Sequence, residues 1–113
     1  MAIRAAAGSL AVFVSAVSAW EVGLLARRRQ RALSFEPSPQ AWFDDLLALP
    51  GVRLLPLTHR AAIAASSLPG SFHRDPADRL LVATARELGV PLVTRDRRIL
   101  DYAAQGHVDA IAC

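Results

Sequence analysis

Apolar runs alternate with amphipathic stretches along most of this chain. Residues 10–16 form an apolar run with β-branched and aromatic members, which predicts a strand buried on both faces. Shorter runs predict further strands at residues 52–57, 90–94 and 108–112. Because helices are predicted between these strands, we expect a parallel sheet covered on both faces, which is an α/β fold.

Helix start signals separate the predicted strands. Ser18 and Glu21 match a capping box and predict a helix that ends in the arginine run 27–29. Trp20 and Trp42 fall on apolar helix faces and are expected in the core. The other helices begin at polar residues that can cap a helix: Ser38 and Asp75, each followed by proline, then Thr58 and Asp96. We expect one domain over residues 1–113.

The composition is that of a globular protein, with 53% hydrophobic and 20% charged residues. The single cysteine, Cys113, excludes a disulfide framework and a cysteine-based metal site, so a reducing, cytoplasmic setting fits best. All 13 basic residues are arginines. Arginine suits phosphate through its bidentate fork, but a GC-rich genome also produces arginine without selection for binding. The composition therefore adds little about partners.

Residues 1–19 admit two interpretations. Arg4, the apolar run and the small residues 17–19 together resemble a secretory signal peptide. The alternative is that residues 10–16 are simply a buried strand. The run is too short for a membrane span, so no membrane association is expected.

Three acidic residues are predicted at one edge of the sheet. Glu21 follows the first strand and Asp96 follows the third, so both belong at the carboxyl edge, where open α/β sheets bind ligands. Asp78 begins the helix that leads into the third strand, and such a helix runs antiparallel to the strands. Crowded carboxylates repel each other and need a cation or protons. Oxygen ligands of this kind suit Mg²⁺ or Mn²⁺ rather than zinc.

Each acid also has a purely structural explanation. Glu21 completes a capping box, Asp78 is well placed for the helix dipole, and Asp96 is suited to cap the next helix. Asp75 is expected to be an N-cap rather than a ligand. The basic residues beside Asp96 are equally ambiguous. They are either phosphate contacts or solvated side chains: Arg95, Arg97 and Arg98. The histidines are too scattered along the chain for a metal-ligand pattern (His59, His73 and His107), and His73 is expected to be a structural loop residue.

Three segments together resemble the PIN-domain ribonucleases, and in particular the VapC-type toxins of bacterial toxin–antitoxin pairs. They are residues 15–21 (SAVSAWE), residues 72–85 (FHRDPADRLLVATA) and residues 92–96 (LVTRD). The similarity runs from about residue 10 to the C-terminus. The second and third segments are fairly specific, whereas the first alone is weak. The resemblance implies a PIN-like three-layer sandwich.

The resemblance also implies an activity and a set of site residues. PIN-domain toxins are Mg²⁺- or Mn²⁺-dependent endoribonucleases that cut RNA and are restrained by a cognate antitoxin, and homodimers are common. By motif position, Glu21, Asp78 and Asp96 are the catalytic, metal-binding acids and Thr94 is a supporting polar residue. Ser15 and Ser18 are weaker candidates.

This chain departs from the family pattern at its N-terminus. Family members open with a strand ending in an Asp, followed by two short helices, and nothing in this sequence corresponds to them. That strand lies centrally in the family's sheet, between those represented here by residues 10–16 and 90–94. We therefore expect the chain to lack one metal-binding acid and a core strand, through a misassigned start or gene decay. Two strand edges would then be exposed.

Two functions of different classes follow. The first is a metal-dependent ribonuclease toxin that acts on RNA and is held by an antitoxin. The second is a catalytically inactive PIN remnant that only binds an antitoxin or a second copy of itself.

Overall fold

The computed structural model describes residues 3–5, 12–28 and 35–113, which form a sheet with helices packed against it. The strands are β1 (Ile3–Ala5), β2 (Val12–Ser15), β3 (Val52–Leu55), β4 (Leu92–Thr94) and β5 (Ala110–Ala112). The helices are α1 (Ala16–Arg27), α2 (Pro39–Ala48), α3 (His59–Ala64) with a 3-10 turn at Ala65–Ser67, α4 (Pro76–Leu88) and α5 (Arg97–Ala104). The predicted order of elements from β2 onward is confirmed. Leu10, Ala11 and Arg29, which the predictions included, lie outside the described residues.

The described strands are ordered β3-β2-β1-β4-β5 across the sheet. The outer pairs are parallel, with Val14 opposite Leu54 in β2 and β3 and Val93 opposite Ile111 in β4 and β5. β1 is antiparallel to both of its neighbours. The sheet is therefore mixed rather than purely parallel.

The occupied centre of the sheet corrects the expectation that this position is empty. Ile3 in β1 is opposite both Val14 in β2 and Val93 in β4, so β1 pairs with the two edges that were expected to be exposed. Only residues 6–11 connect β1 to β2. A parallel neighbour would need a crossover of a dozen or more residues, so this short connection permits only the antiparallel arrangement. Pairing satisfies backbone groups on both edges.

Helices cover the sheet on opposite faces because consecutive strand residues point to opposite sides. Val14 of β2 packs with Phe43 of α2 in one hydrophobic cluster. Its neighbour Phe13 lines a small cavity with Leu81 of α4 on the other face. A larger cluster surrounds α4 and extends to Tyr102 of α5. This packing holds the N-terminus of α4 at the carboxyl edge of the sheet.

The start of α1 differs from the sequence prediction. Ser15 is the N-cap, and its hydroxyl accepts a hydrogen bond from the Val17 N–H at 3.0 Å. The predicted capping box at Ser18 and Glu21 is therefore wrong, because both residues lie inside the helix. The chain passes from β2 into α1 without a loop. The helix therefore begins directly at the end of the strand, three residues before the predicted start.

Trp20 is also placed differently from the prediction. Its side chain is 49% exposed, so it is not a core residue. Trp42 is partly buried and packs edge-on against Phe35, with ring centroids 4.9 Å apart. In the described ranges, every helix is too short or too polar to cross a membrane.

Candidate metal centre

Two helix N-termini bring Asp78 and Asp96 together at the carboxyl edge of the sheet. Asp75 is the N-cap of α4, as expected, and its Oδ1 accepts a hydrogen bond from the Asp78 N–H at 3.2 Å. Asp78 lies in the first turn of α4. Asp96 is the N-cap of α5, directly after β4, and its Oδ1 accepts from the Arg98 N–H at 2.8 Å. Both carboxylates are partly buried.

His73 completes a compact group of donor atoms with these two carboxylates. One donor atom from each of His73, Asp78 and Asp96 lies within 4.8 Å of the other two. The shortest contact joins His73 Nε2 to Asp78 Oδ2, at 3.1 Å. The expectation that His73 is only a structural loop residue is therefore incomplete, because its ring lies against a predicted metal ligand.

The hydrogen bond that the His73 ring accepts disfavours His73 as a metal ligand. Its Nδ1 accepts a hydrogen bond from the Asp75 N–H at 3.3 Å, so Nδ1 carries no proton. In the neutral ring the proton is then on Nε2, the nitrogen that faces Asp78. A metal-binding imidazole needs the opposite arrangement, with its second nitrogen donating. Nε2 forms no hydrogen bond among the described residues, but its 3.1 Å contact places the ring directly against the Asp78 carboxylate.

Arg98 is the cation that faces both carboxylates. Its Nη2 lies 3.2 Å from Asp96 Oδ2 and 3.9 Å from Asp78 Oδ2. The side chain is 59% exposed, whereas that of Asp78 is only 13% exposed. The guanidinium thus covers the carboxylate pair from the solvent side.

Glu21, the third predicted ligand, is not among the donor atoms of the described residues that lie within 4.8 Å of one another. It lines a pocket of about 270 Å³ together with Asp75, Pro76 and Ala77. Its Oε1 is buried and has no hydrogen-bond partner among the described residues. Burial raises the pKa of Glu21, and the nearby carboxylates of Asp78 and Asp75 raise it further. Glu21 is therefore a partly buried acid in the electrostatic field of other acids.

The two aspartates have opposite electrostatic environments. Burial raises the pKa of Asp78, and repulsion from Asp75 and Asp96 adds to that effect. Partial burial alone would also raise the pKa of Asp96, but hydrogen bonds from Arg98 outweigh it and hold that pKa below its ordinary value. Crowded carboxylates of this kind are stabilised in the ionised form by a divalent cation. The orphaned Glu21 oxygen and the oxygen-rich donor set fit Mg²⁺ or Mn²⁺.

Buried polar contacts hold the segments that carry the site. Thr94 is buried, and its Oγ1 accepts a hydrogen bond from the Asp96 N–H at 3.0 Å, which fixes the turn after β4. Arg79 reaches backward along the chain to the loop before α4. It donates to the carbonyls of Ala65, Phe72 and His73, at 2.7, 3.2 and 3.3 Å. Arg79 therefore holds His73 against Asp78.

The remaining predicted residues are less closely associated with the carboxylates. Arg95 and Arg97 are exposed beside Asp96, and the ion pairs of the described ranges include neither. Ser15 acts as the α1 cap, whereas Ser18 is fully buried with no partner for its hydroxyl in the part of the chain described. Sequence reasoning missed His73 and Arg79, although both belong to the segment that it singled out.

The fold and the acidic edge agree with one family. The sequence model of the PIN domain family matches residues 1–105. The chain therefore belongs to the PIN domain family. The family predicted from the three sequence segments is thereby confirmed.

Two more specific similarities are present. Ribonuclease VapC22 of Mycobacterium tuberculosis is 41% identical over 89 residues. That match covers 79% of this chain and 65% of the relative, so the chain spans less than two thirds of that protein's length. The crystal structure of VapBC2 from Rickettsia felis, bound to a DNA fragment from their promoter, resembles this chain with a TM-score of 0.62 at 12% identity. The match covers 88% of this chain and 73% of the VapBC2 chain, and at this low identity it shows a shared fold alone.

Proposed function

We propose that this chain is a Mg²⁺- or Mn²⁺-dependent endoribonuclease and the toxin of a toxin–antitoxin pair. The observation that carries the proposal is the convergence of Asp78 and Asp96, with donor atoms within 4.8 Å. Glu21 is close enough for its pKa to be raised by Asp78, and its buried Oε1 has no hydrogen-bond partner among the described residues. The similarity to a VapC ribonuclease supports RNA as the substrate. The likeness to VapBC2 is compatible with an antitoxin partner. We further propose one domain over residues 1–113, a cytoplasmic location and a homodimer.

Each proposed residue has a distinct role at the site. Glu21, Asp78 and Asp96 would hold the cation, which, when bound, activates water and stabilises charge on the scissile phosphate. Thr94 keeps the Asp96 turn in place through its hydroxyl. Asp78 is partly buried, and His73 lies against its Oδ2. Little water therefore competes with a cation for the Asp78 carboxylate. These contacts keep the carboxylates in position before the cation arrives.

The arginines at the start of α5 supply the proposed RNA contacts. Arg95, Arg97 and Arg98 are all exposed and lie beside Asp96. Arginine side chains grip phosphate oxygens in pairs, so this group suits the backbone of an RNA strand next to the carboxylates. Such contacts position the strand without reading its sequence.

A cleavage assay tests this proposal. The purified protein should cut RNA in the presence of Mg²⁺ or Mn²⁺ and lose that activity in excess EDTA. Asp96→Asn should abolish cleavage while leaving the circular dichroism spectrum unchanged. Asp109→Asn is the matched control, because Asp109 is exposed and precedes β5 at the opposite edge of the sheet. Cleavage that persists in EDTA, or in Asp96→Asn, would exclude the metal mechanism.

One observation favours the second candidate, an inactive binding module. The central strand β1 carries no acidic residue, and the first acid in the whole sequence is Glu21. Among the described residues, the predicted ligands at this edge are therefore three carboxylates, because the fourth nearby acid, Asp75, caps α4. Binding of Mn²⁺ without RNA cleavage at any metal concentration would favour this candidate over the enzyme.

A further inference from the structure

Arg98 lies against the carboxylate pair that the proposed function assigns to the cation. Its Nη2 is 3.2 Å from Asp96 Oδ2 and 3.9 Å from Asp78 Oδ2. Its Nε is 3.4 Å from Asp96 Oδ1, so the guanidinium contacts both oxygens of that carboxylate. A divalent cation shared by Asp78 and Asp96 would have to approach the same oxygens.

The local backbone does not favour a positive charge at this position. Arg98 is the second residue of α5, where the helix dipole disfavours cations. The two carboxylates therefore account for the orientation of its side chain. The side chain is also 59% exposed, and exposed ion pairs are weak and easily broken. The contact is thus strong enough to orient Arg98 but not to fix it there.

We propose that Arg98 is a built-in counter-ion that neutralises Asp78 and Asp96 in the metal-free protein and leaves them when a divalent cation binds. This inference rests on the proposed function, because it takes these two aspartates as cation ligands. Arg98 and the cation compete for the same oxygens, so each weakens the binding of the other.

The exchange also gives Arg98 a second partner. Once displaced, the guanidinium remains at the exposed start of α5, next to the carboxylates, where the phosphate of an RNA strand would lie. Arginine binds phosphate in the same bidentate manner as carboxylate. Arg98 would therefore be held on the protein's own acids without metal and become available for RNA when metal is present.

Metal affinity measured without RNA tests the competition. Mn²⁺ is titrated into the wild-type chain, Arg98→Ala and Arg97→Ala, and free Mn²⁺ is followed by electron paramagnetic resonance. Arg97→Ala removes the same charge from the adjacent residue, which has no ion pair with either aspartate in the described ranges. The α5 cap survives in Arg98→Ala, because it uses the backbone N–H of residue 98.

We expect Arg98→Ala to bind Mn²⁺ about twofold to fivefold more tightly than Arg97→Ala, the range that an exposed ion pair supplies. In the wild-type chain, adding diamagnetic Mg²⁺ should shift the Arg98 Nε–H resonance, which is assigned by its loss in Arg98→Ala. Equal Mn²⁺ affinity of the two arginine variants, with binding lost in Asp96→Asn, would overturn the competition and leave the proposed metal site intact. Mn²⁺ binding unaffected by Asp96→Asn would overturn the proposed function and this inference together.

Discussion

His73 and Asp78 face each other across the N-terminus of α4, with 3.1 Å between Nε2 and Oδ2. The intervening Asp75 joins them, because its N–H donates to the His73 ring while its carboxylate caps the helix that carries Asp78. The loop before α4 is therefore part of the candidate site, and changes in that loop should act on the orientation of Asp78.

Arg79 is expected to be the main support of this loop. Arg79→Ala leaves three backbone carbonyls without their donor, those of Ala65, Phe72 and His73. We expect a loss of about 2–4 kcal/mol in the free energy of unfolding, since the bonds are charge-assisted and partly buried. Urea unfolding measures the loss.

Arg86→Ala is the control for that experiment. Arg86 is exposed and donates to one carbonyl, that of His107. Its removal should cost about 1 kcal/mol or less. Equal losses from the two substitutions would show that Arg79 does not hold the loop.

Gly70 is a second point at which the loop is constrained. Its φ is +67°, and an added Cβ would lie 2.7 Å from His107 Nε2. The His107 ring packs against Tyr102 in a tilted arrangement, with centroids 4.6 Å apart, so it can move aside only by losing that contact. Gly70→Ala should therefore cost more than the roughly 1–2 kcal/mol of a left-handed backbone alone. Thermal unfolding measures the difference.

Gly89→Ala separates the two contributions to that cost. Gly89 has nearly the same φ, +65°, but open space around the added Cβ. It should show the backbone penalty only. In a His107→Ala background, the cost of Gly70→Ala should fall to the same value, and a cost that stays larger would refute the steric explanation.

Two serines three residues apart test where α1 begins. Ser15→Ala removes the N-cap hydrogen bond and should destabilise the protein by about 0.5–2 kcal/mol. Ser18→Ala removes a buried hydroxyl that has no partner in the described part of the chain, and should be neutral or stabilising. The free energy of unfolding in urea distinguishes them. The reverse result would restore the capping box at Ser18.

Glu21 should make stability depend on pH in a defined direction. Burial raises its pKa in the folded protein above 4.5, the ordinary value. The ionised side chain therefore costs stability above the raised pKa, and that cost disappears as the pH falls towards 4.5. Without metal, Glu21→Gln should be more stable than the wild-type chain at pH 7.5, and the two should converge near pH 4.

A control and a metal titration complete the Glu21 experiment. Glu87→Gln changes an exposed acid on α4 whose Oε2 accepts from Thr58, and glutamine can still accept there. It should show no comparable gain at pH 7.5. Saturating Mg²⁺ should raise the melting temperature of the wild-type chain more than that of Glu21→Gln, which keeps Asp78 and Asp96. A Glu21→Gln variant that is less stable at neutral pH without metal would contradict the burial argument.

Local signals predicted most of the fold because they act within a few residues. Thr58 and the Asp75-Pro76 pair start helices where expected, and Gly89 ends α4 in the left-handed conformation. Chain direction likewise predicted that Asp78 and Asp96 share one edge of the sheet. The helix boundaries and the shared sheet edge depend on the order of helices and strands, which can be predicted from the hydrophobic pattern.

The features that sequence did not predict depend on contacts between distant parts of the chain. The pairing of β1 with both β2 and β4 follows from two open strand edges and a short connection, not from the composition of Ile3–Ala5. The contact of Arg98 with Asp78 spans 20 residues and two helices. Whether Arg98 faces solvent or the carboxylates of Asp78 and Asp96 depends on how α4 and α5 pack, which the spacing of residues in the sequence does not show.

Crystals grown with Mn²⁺ test the central claim most directly, because the anomalous signal locates the ion. We expect a peak beside the carboxylates of Asp78 and Asp96, with Arg98 turned away from both aspartates. Mn²⁺ bound elsewhere at saturating concentration, with the Arg98 guanidinium still in contact with Asp96, would contradict both the proposed metal site and the proposed role of Arg98.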